Sequence, residues 1–213
     1  MSKYGVPYVL AGLFVILIGA TSLPITRGIT SYIIIICGFL FSAFMFYFFR
    51  DPHREPPHDE DILISPADGK IVSIKWIDNE EFVGDCKRIS IFMNIFDVHI
   101  IRMPASGVIR GVSRYKGKYL LGFKEEASRK NSRVSVHIVT KSGNLKLHLI
   151  AGAIARRIVC EPSPGEHWEI GEKIGIIKFG SRVDFFVPAE LELRVFEGMR
   201  VKGGETILGI WKK

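Results

Sequence analysis

Two long apolar runs, residues 4–25 and 28–49, open the chain, and Arg27 is the only charged residue from Tyr4 to Phe49. Each run is close to the ~20 residues a helix needs to cross a bilayer. Neither carries the polar face that a helix packed on a soluble core turns to water. Between them, Leu23-Pro24-Ile25-Thr26-Arg27-Gly28 supplies a helix breaker and a polar turn. A secretory signal has one short apolar core ahead of a small-residue cleavage site, so a second long run immediately downstream argues against one. The expectation is a helical hairpin over residues 1–50 that spans or embeds in a bilayer. Lys3 precedes it and Arg50 and Arg54 follow it, against the lone Arg27 in the loop. The positive-inside rule then puts both ends at the cytoplasmic face of the cell membrane, together with everything that follows.

Residues 51–61 include Asp51-Pro52-His53-Arg54-Glu55-Pro56-Pro57, which cannot continue a helix and reads as a linker at headgroup level. The formal net charge is +7, spread in short groups such as Arg129-Lys130 and Arg156-Arg157. No nucleic-acid module accompanies these groups; beside a membrane segment they read as attraction to anionic headgroups. Cys37, Cys86 and Cys160 are odd in number and form no C-x-x-C pair. That pattern points to reduced thiols rather than a disulfide framework or a zinc site.

From residue 62 to residue 213 the pattern is β. Ile71–Trp76, Arg88–Met93, Val134–Val139 and Leu145–Ile150 are short, partly alternating and rich in β-branched residues. Lys141-Ser142-Gly143-Asn144 reads as a hairpin turn between the last two. Two internal repeats sharpen this. Pro66-Ala67-Asp68-Gly69-Lys70-Ile71 recurs as Pro104-Ala105-Ser106-Gly107-Val108-Ile109, and Gly171-Glu172-Lys173-Ile174 as Gly204-Glu205-Thr206-Ile207. Such elements resemble the glycine turns of biotinyl- and lipoyl-carrier-like hybrid barrels. The expected fold is mainly β, a sandwich or flattened hybrid barrel with closed edges, behind the N-terminal hydrophobic helical hairpin.

Three polar residues fall at turns or strand ends between apolar stretches: Asp68, His99 and Ser181. Singly each has a plain structural reading, as an Asp-Gly turn, a core histidine in a strand and a Gly-Ser turn. Together they have the composition of an acid, a base and a nucleophile gathered by folding. Ser181 follows Gly180, whose lack of a side chain leaves its carbonyl unhindered for attack by the serine.

These motifs resemble the short bacterial type of phosphatidylserine decarboxylase proenzyme. The matches are Phe48-Phe49-Arg50-Asp51-Pro52, Pro66-Ala67-Asp68-Gly69, Asp97-Val98-His99 with Arg102-Met103-Pro104, Ala151-Gly152-Ala153-Ile154-Ala155-Arg156-Arg157-Ile158, and Phe179-Gly180-Ser181-Arg182-Val183-Asp184 followed by Pro188. They run in the family's order across nearly the whole chain. The resemblance implies self-cleavage between Gly180 and Ser181, giving a β chain of residues 1–180 and an α chain of residues 181–213 that stay associated. It implies that Ser181 becomes a covalent pyruvoyl group, the cofactor on which phosphatidylserine forms a Schiff base and is decarboxylated to phosphatidylethanolamine. Asp68 and His99 would join Ser181 in the cleavage relay, with His99 also moving a proton during decarboxylation. No metal ligands and no pyridoxal-binding lysine are needed.

Two positions depart from the long form of the family: Arg102 stands where a second histidine occurs, and Arg182 stands where a threonine follows the serine. His137 and His148 lie in strand patterns and read as structural. A diacyl substrate leaves the bilayer at a cost of ~0.8 kcal/mol per CH₂, so the pocket mouth is expected to face the membrane. Arg133, Arg156 and Arg157 are candidates for its phosphate. A homo-oligomer is left open.

Rival readings meet specific gaps. A non-enzymatic membrane-anchored hybrid-barrel adaptor accounts for the hairpin and glycine turns, but not for Asp68, His99 and Gly180-Ser181 together. A carrier domain would need a modifiable lysine on a tight turn. A zinc peptidase would need ligands spaced as in His-x-His, which the sequence lacks. Decarboxylation of another serine-headgroup lipid, such as archaetidylserine, would use the same motifs.

Overall fold

The computed structural model describes the whole chain except residues 27, 58, 60, 123–125, 153–156, 179–180 and 212–213, together with the side chains of 25, 26 and 181. It divides into two compact units, Met1–His53 and Arg54–Lys213.

The first unit is a helical hairpin of α1 (Val6–Thr26) and α2 (Ile29–Phe48). Both helices are long and apolar enough to cross a membrane, with mean hydropathies of 2.1 and 2.2. Small residues set the approach of the two backbones: a Cβ on Gly12 would lie 2.1 Å from Ser42 Oγ, and one on Gly38 would lie 3.0 Å from the Gly12 carbonyl oxygen. Small-residue seams of this kind let helices pack where lipid offers no hydrophobic drive. Ser22 and Ser31 share a hydroxyl hydrogen bond of 2.8 Å across the seam. Leu10, Leu13, Phe14, Leu17, Phe39 and Leu40 point outward and exposed. In water such a surface would be a liability; in hydrocarbon it is matched.

The second unit is mainly β. In chain order its strands are β1 (Ile62–Ile64), β2 (Gly69–Glu80), β3 (Gly84–Met93), β4 (Ile100–Arg102) and β5 (Gly107–Tyr115). One helical turn, α3 (Ala127–Lys130), precedes β6 (Arg133–Thr140), β7 (Gly143–Ala151), β8 (Arg157–Cys160) and β9 (His167–Trp168). The chain ends with β10 (Lys173–Lys178), β11 (Ser181–Pro188), β12 (Glu192–Leu193), β13 (Arg200–Val201) and β14 (Ile207–Ile210). Among the described residues they form a curled sheet ordered β13-β2-β3-β11-β7-β6-β5-β9 and two small sheets, β1-β14-β12 and β4-β10-β8. The strands expected from alternation lie inside β2, β3, β6 and β7, and the β6–β7 hairpin turns at Lys141-Ser142 with Thr140 opposite Gly143.

The two repeats build the small sheets as a matched pair. The Ile64 amide donates to Pro104 O at 3.0 Å, and the Arg102 amide donates to Pro66 O at 2.9 Å, so the two Pro-Ala turns clasp each other. Ser65 exchanges hydrogen bonds with Gly204 and Thr206, and Met103 does the same with Gly171 and Glu172. Each Gly-Glu turn then enters a strand, β14 against β1 and β10 against β4. Gly69 and Gly107 are required at equivalent places: an added Cβ would lie 2.2 Å from Phe92 O and 2.5 Å from Val139 O, respectively.

One hydrophobic core joins the large sheet to the small ones. Ile71, Ile89, Ile91, Val136, Leu147, Val183 and Phe185 supply it from the large sheet, and Leu63, Ile101, Met103, Ile174 and Leu208 from the others. Burying each such side chain contributes ~1.5–3 kcal/mol.

Candidate active site

The active-site candidates meet where the chain changes sheets. β3 leaves the large sheet at Met93, turns through Asn94 and Asp97, and enters β4 of a small sheet just after His99. β10 and β11 make the reverse crossing, from the small sheet at Lys178 to the large sheet at Ser181. β4 pairs with β10 and β3 with β11, so both crossings occur at one corner. There the His99 carbonyl accepts the Ile177 amide at 3.2 Å, and the Ser181 backbone lies opposite Met93 on one side and Ala151 on the other. Gly180 and Phe179 lie outside the described residues, as does the Ser181 side chain.

His99 is 1% exposed, and its Nδ1 lies 2.9 Å from the Asp97 carbonyl oxygen. A carbonyl can only accept, so Nδ1 carries the proton of the neutral ring and Nε2 carries the basic lone pair. Asp97 is itself tied down. Its Oδ2 accepts the Asn94 amide at 2.9 Å, its own amide donates to Asn94 O at 3.1 Å, and Arg200 Nη2 donates to Oδ1. The locked turn therefore fixes the carbonyl that orients His99. Composition and strand pattern alone give Asp97 no role. The signal was available: Asn94 and Asp97 are spaced as the ends of a tight turn, two residues ahead of the histidine.

Asp68 ends the first Pro-Ala turn, immediately before β2. Since β2 pairs with β3, Asp68 sits at the same end of the large sheet as Met93 and Ser181, with β3 between. Its carboxylate is gripped by Arg54, whose Nη1 donates to Oδ1 at 2.5 Å and Nη2 to Oδ2 at 2.8 Å. The Gly203 amide donates to Oδ1 at 2.8 Å, and Arg54 Nη1 also donates to Gly203 O at 2.5 Å. Topology thus brings Asp68, His99 and the Ser181 backbone to one end of the sheet. The Asp68 contacts resolved here run to Arg54 and Gly203.

The remaining candidates divide. Arg102 is buried, with Nη1 donating to Gly171 O at 2.9 Å, so the long form's second histidine position here braces a turn. Arg157 lies opposite Lys178, and Arg133 opposite Ile150, beside the strand end that pairs with Ser181. Arg157 thus belongs to the small sheet β4-β10-β8 and Arg133 to the large sheet, each at the strand end next to the crossing; Arg156 lies outside the described residues. Arg182 is fully buried, donating through Nε to Asp184 at 2.6 Å and through Nη2 to Ser90 Oγ at 2.7 Å. His137 stacks on Phe82 and His148 packs edge-on against Phe186. Burial, with Lys146 and Arg133 nearby, pushes the His148 pKa down to about 3.

The sequence model of the family described as phosphatidylserine decarboxylase matches residues 41–209. Among curated proteins, a phosphatidylserine decarboxylase proenzyme of Desulfotalea psychrophila is 38% identical over 98% of this chain and 95% of its own. One from Chlorobaculum tepidum is 38% identical over 92% and 89%, and one from Salinibacter ruber 44% identical over 78% and 75%, respectively.

Proposed function

The chain belongs to the phosphatidylserine decarboxylase family and is an enzyme, and we propose that it is made as a precursor that cuts itself between Gly180 and Ser181 and then converts phosphatidylserine to phosphatidylethanolamine. In this reading His99 Nε2 takes the Ser181 hydroxyl proton as Oγ attacks the Gly180 carbonyl carbon. The proton passes to the departing amide nitrogen, and an ester replaces the peptide bond. Loss of the Ser181 α-proton and of the Gly180 carboxylate leaves dehydroalanine, which takes up water and releases ammonia. The pyruvoyl group so formed supplies a ketone that can take up the substrate amine and the electrons freed when carbon dioxide leaves.

The observation that carries this reading is the double sheet crossing. His99, with its basic lone pair on Nε2, and the Ser181 backbone occupy one corner because β4 must pair with β10 while β3 pairs with β11. Residue 181 suits a modified N-terminus, since its backbone is flanked by β3 and β7. Strands β11, β13 and β14 all find partners upstream of the cut, in β3, β7, β2 and β1. Cleavage would therefore sever one peptide bond without releasing the α chain. Asp68 acts here as a fixed negative charge rather than as the base, because its two oxygens already accept hydrogen bonds from Arg54 and Gly203. The two apolar helices support membrane association, and the charge bias at their ends favours a cytoplasmic catalytic unit.

The experiment is a denaturing gel with intact masses of the purified protein. The expected result is two chains, one ending at Gly180 and one beginning with a ketone in place of the serine amine. A folded chain that stays whole would overturn the reading.

A further inference from the structure

Arg54 is the first residue of the catalytic unit and stands eight positions before β1. On composition alone it belongs to a solvated, proline-rich exit segment. Its side chain is instead 7% exposed, and its guanidinium faces three groups: the Asp68 carboxylate, Gly203 O and, at 3.6 Å, Glu205. The Asp68 contact is a two-point fork in which both Nη groups meet both carboxylate oxygens, an arrangement with geometric as well as electrostatic content. The surroundings are shaped for it. Gly203 lies so close to the Pro66-Ala67 turn that a Cβ would sit 2.9 Å from Ala67 Cα, while Gly204 has φ +86°. The Arg54 guanidinium is held more firmly charged than usual: burial acts against this, but the Asp68 hydrogen bonds and charge outweigh it.

We propose that Arg54 is a positioning residue for self-cleavage, acting through Asp68. The proposal rests on the reading of Asp68 as part of the cleavage machinery. Asp68 lies in a turn, one strand removed from Met93 and two from Ser181. A turn carboxylate has freedom to rotate; the fork removes it, aligning both oxygens in one plane. Arg54 and Asp68 precede the predicted cut and Gly203 follows it, so the three form a clamp across both product chains. Lysine at position 54 could supply the charge but only a single point of contact.

The test follows the rate of precursor cleavage in the full-length chain by gel and intact mass, for Arg54→Gln, Arg54→Lys, Asp68→Asn and the Arg54→Gln/Asp68→Asn double variant. Thermal melts of each are run alongside on the Ser181→Ala background. The expected result is that Arg54→Gln slows cleavage at least ~10-fold and that Arg54→Lys recovers part of the rate. The double variant should cleave no more slowly than Asp68→Asn alone, since residues in one network couple non-additively. Wild-type cleavage by Arg54→Gln overturns the proposal. So do effects that multiply in the double variant, or slowing matched by equal loss of melting temperature in both Arg54 variants, which would mark a merely structural role. Normal cleavage by Asp68→Asn would instead remove Asp68 from the proposed machinery, a separate failure.

Discussion

His99 donates from Nδ1 to the backbone carbonyl of Asp97 at 2.9 Å, so the tautomer of a buried imidazole is set by a main-chain atom. In Ser-His-Asp relays the histidine is oriented by a carboxylate. Here the Asp97 carboxylate is engaged with Asn94 and Arg200, and its contribution reaches the ring through the turn it holds.

Replacing His99 by Ala is expected to slow precursor cleavage by ~10²–10⁴-fold, the usual contribution of a positioned general base. The fraction of cleaved chain against time after synthesis measures this. Processing at the wild-type rate would move the base to another group.

Ser181→Ala is expected to abolish both cleavage and decarboxylation, because in the proposed mechanism Oγ is first the nucleophile and then leaves with the Gly180 carboxylate, the elimination from which the pyruvoyl group is formed. Carbon dioxide release from labelled phosphatidylserine in mixed micelles, read beside the gel, checks both at once. Activity retained by the uncut variant would refute the pyruvoyl role of residue 181.

Much of this architecture is legible in the residues, and the parts that are not share a cause. Alternation and β-branching are local, so the cores of β2, β3, β6 and β7 can be read directly, as can the Lys141-Ser142 turn. The Pro-Ala and Gly-Glu repeats are legible too, because each demands glycine: Gly69 and Gly107 where two backbones touch, Gly171 and Gly204 where φ is positive. Pairing choice is not local. Nothing in residues 93–102 or 173–181 taken separately says that both segments cross between sheets at the same corner; that follows from register. Arg54 was hidden for the same reason, since its partners Asp68 and Gly203 lie 14 and 149 positions away. Arg182 and Asp184 alternate along β11, yet both are buried among neighbouring strands, which only the pairing of β11 with β3 and β7 explains.

His148 should make the β-rich unit acid-sensitive. Its pKa lies at about 3 in the folded chain, driven down first by burial and then by Lys146 and Arg133, against the opposing pull of Asp184 and Glu80. The unfolded chain, with an ordinary histidine near 6.5, binds the proton first. This group's contribution to stability is therefore fully present above pH ~6.5 and is lost as the pH falls toward about 3, by at most ~1.4 kcal/mol per pH unit. Urea melts of the Ser181→Ala precursor across that range should show a shallower acid limb for His148→Phe. An unchanged slope would assign the acid sensitivity elsewhere.

The Arg182–Asp184 pair yields the sharpest stability contrast. The two side chains are 1% and 0% exposed and meet at 2.6 Å, with Ser90 Oγ accepting a second guanidinium hydrogen bond. Removing one partner strands a buried charge, so Asp184→Ala is expected to cost ~3–5 kcal/mol. Replacing both by apolar residues of similar volume, Arg182→Met with Asp184→Leu, should recover most of that loss, since desolvation is then relieved on both sides. Chemical denaturation of the two variants on the Ser181→Ala background separates the effects. A double variant as unstable as Asp184→Ala would mean that the pair stabilises the fold beyond its own desolvation cost. In that case β11 would depend on the ion pair itself, at the strand that begins with residue 181.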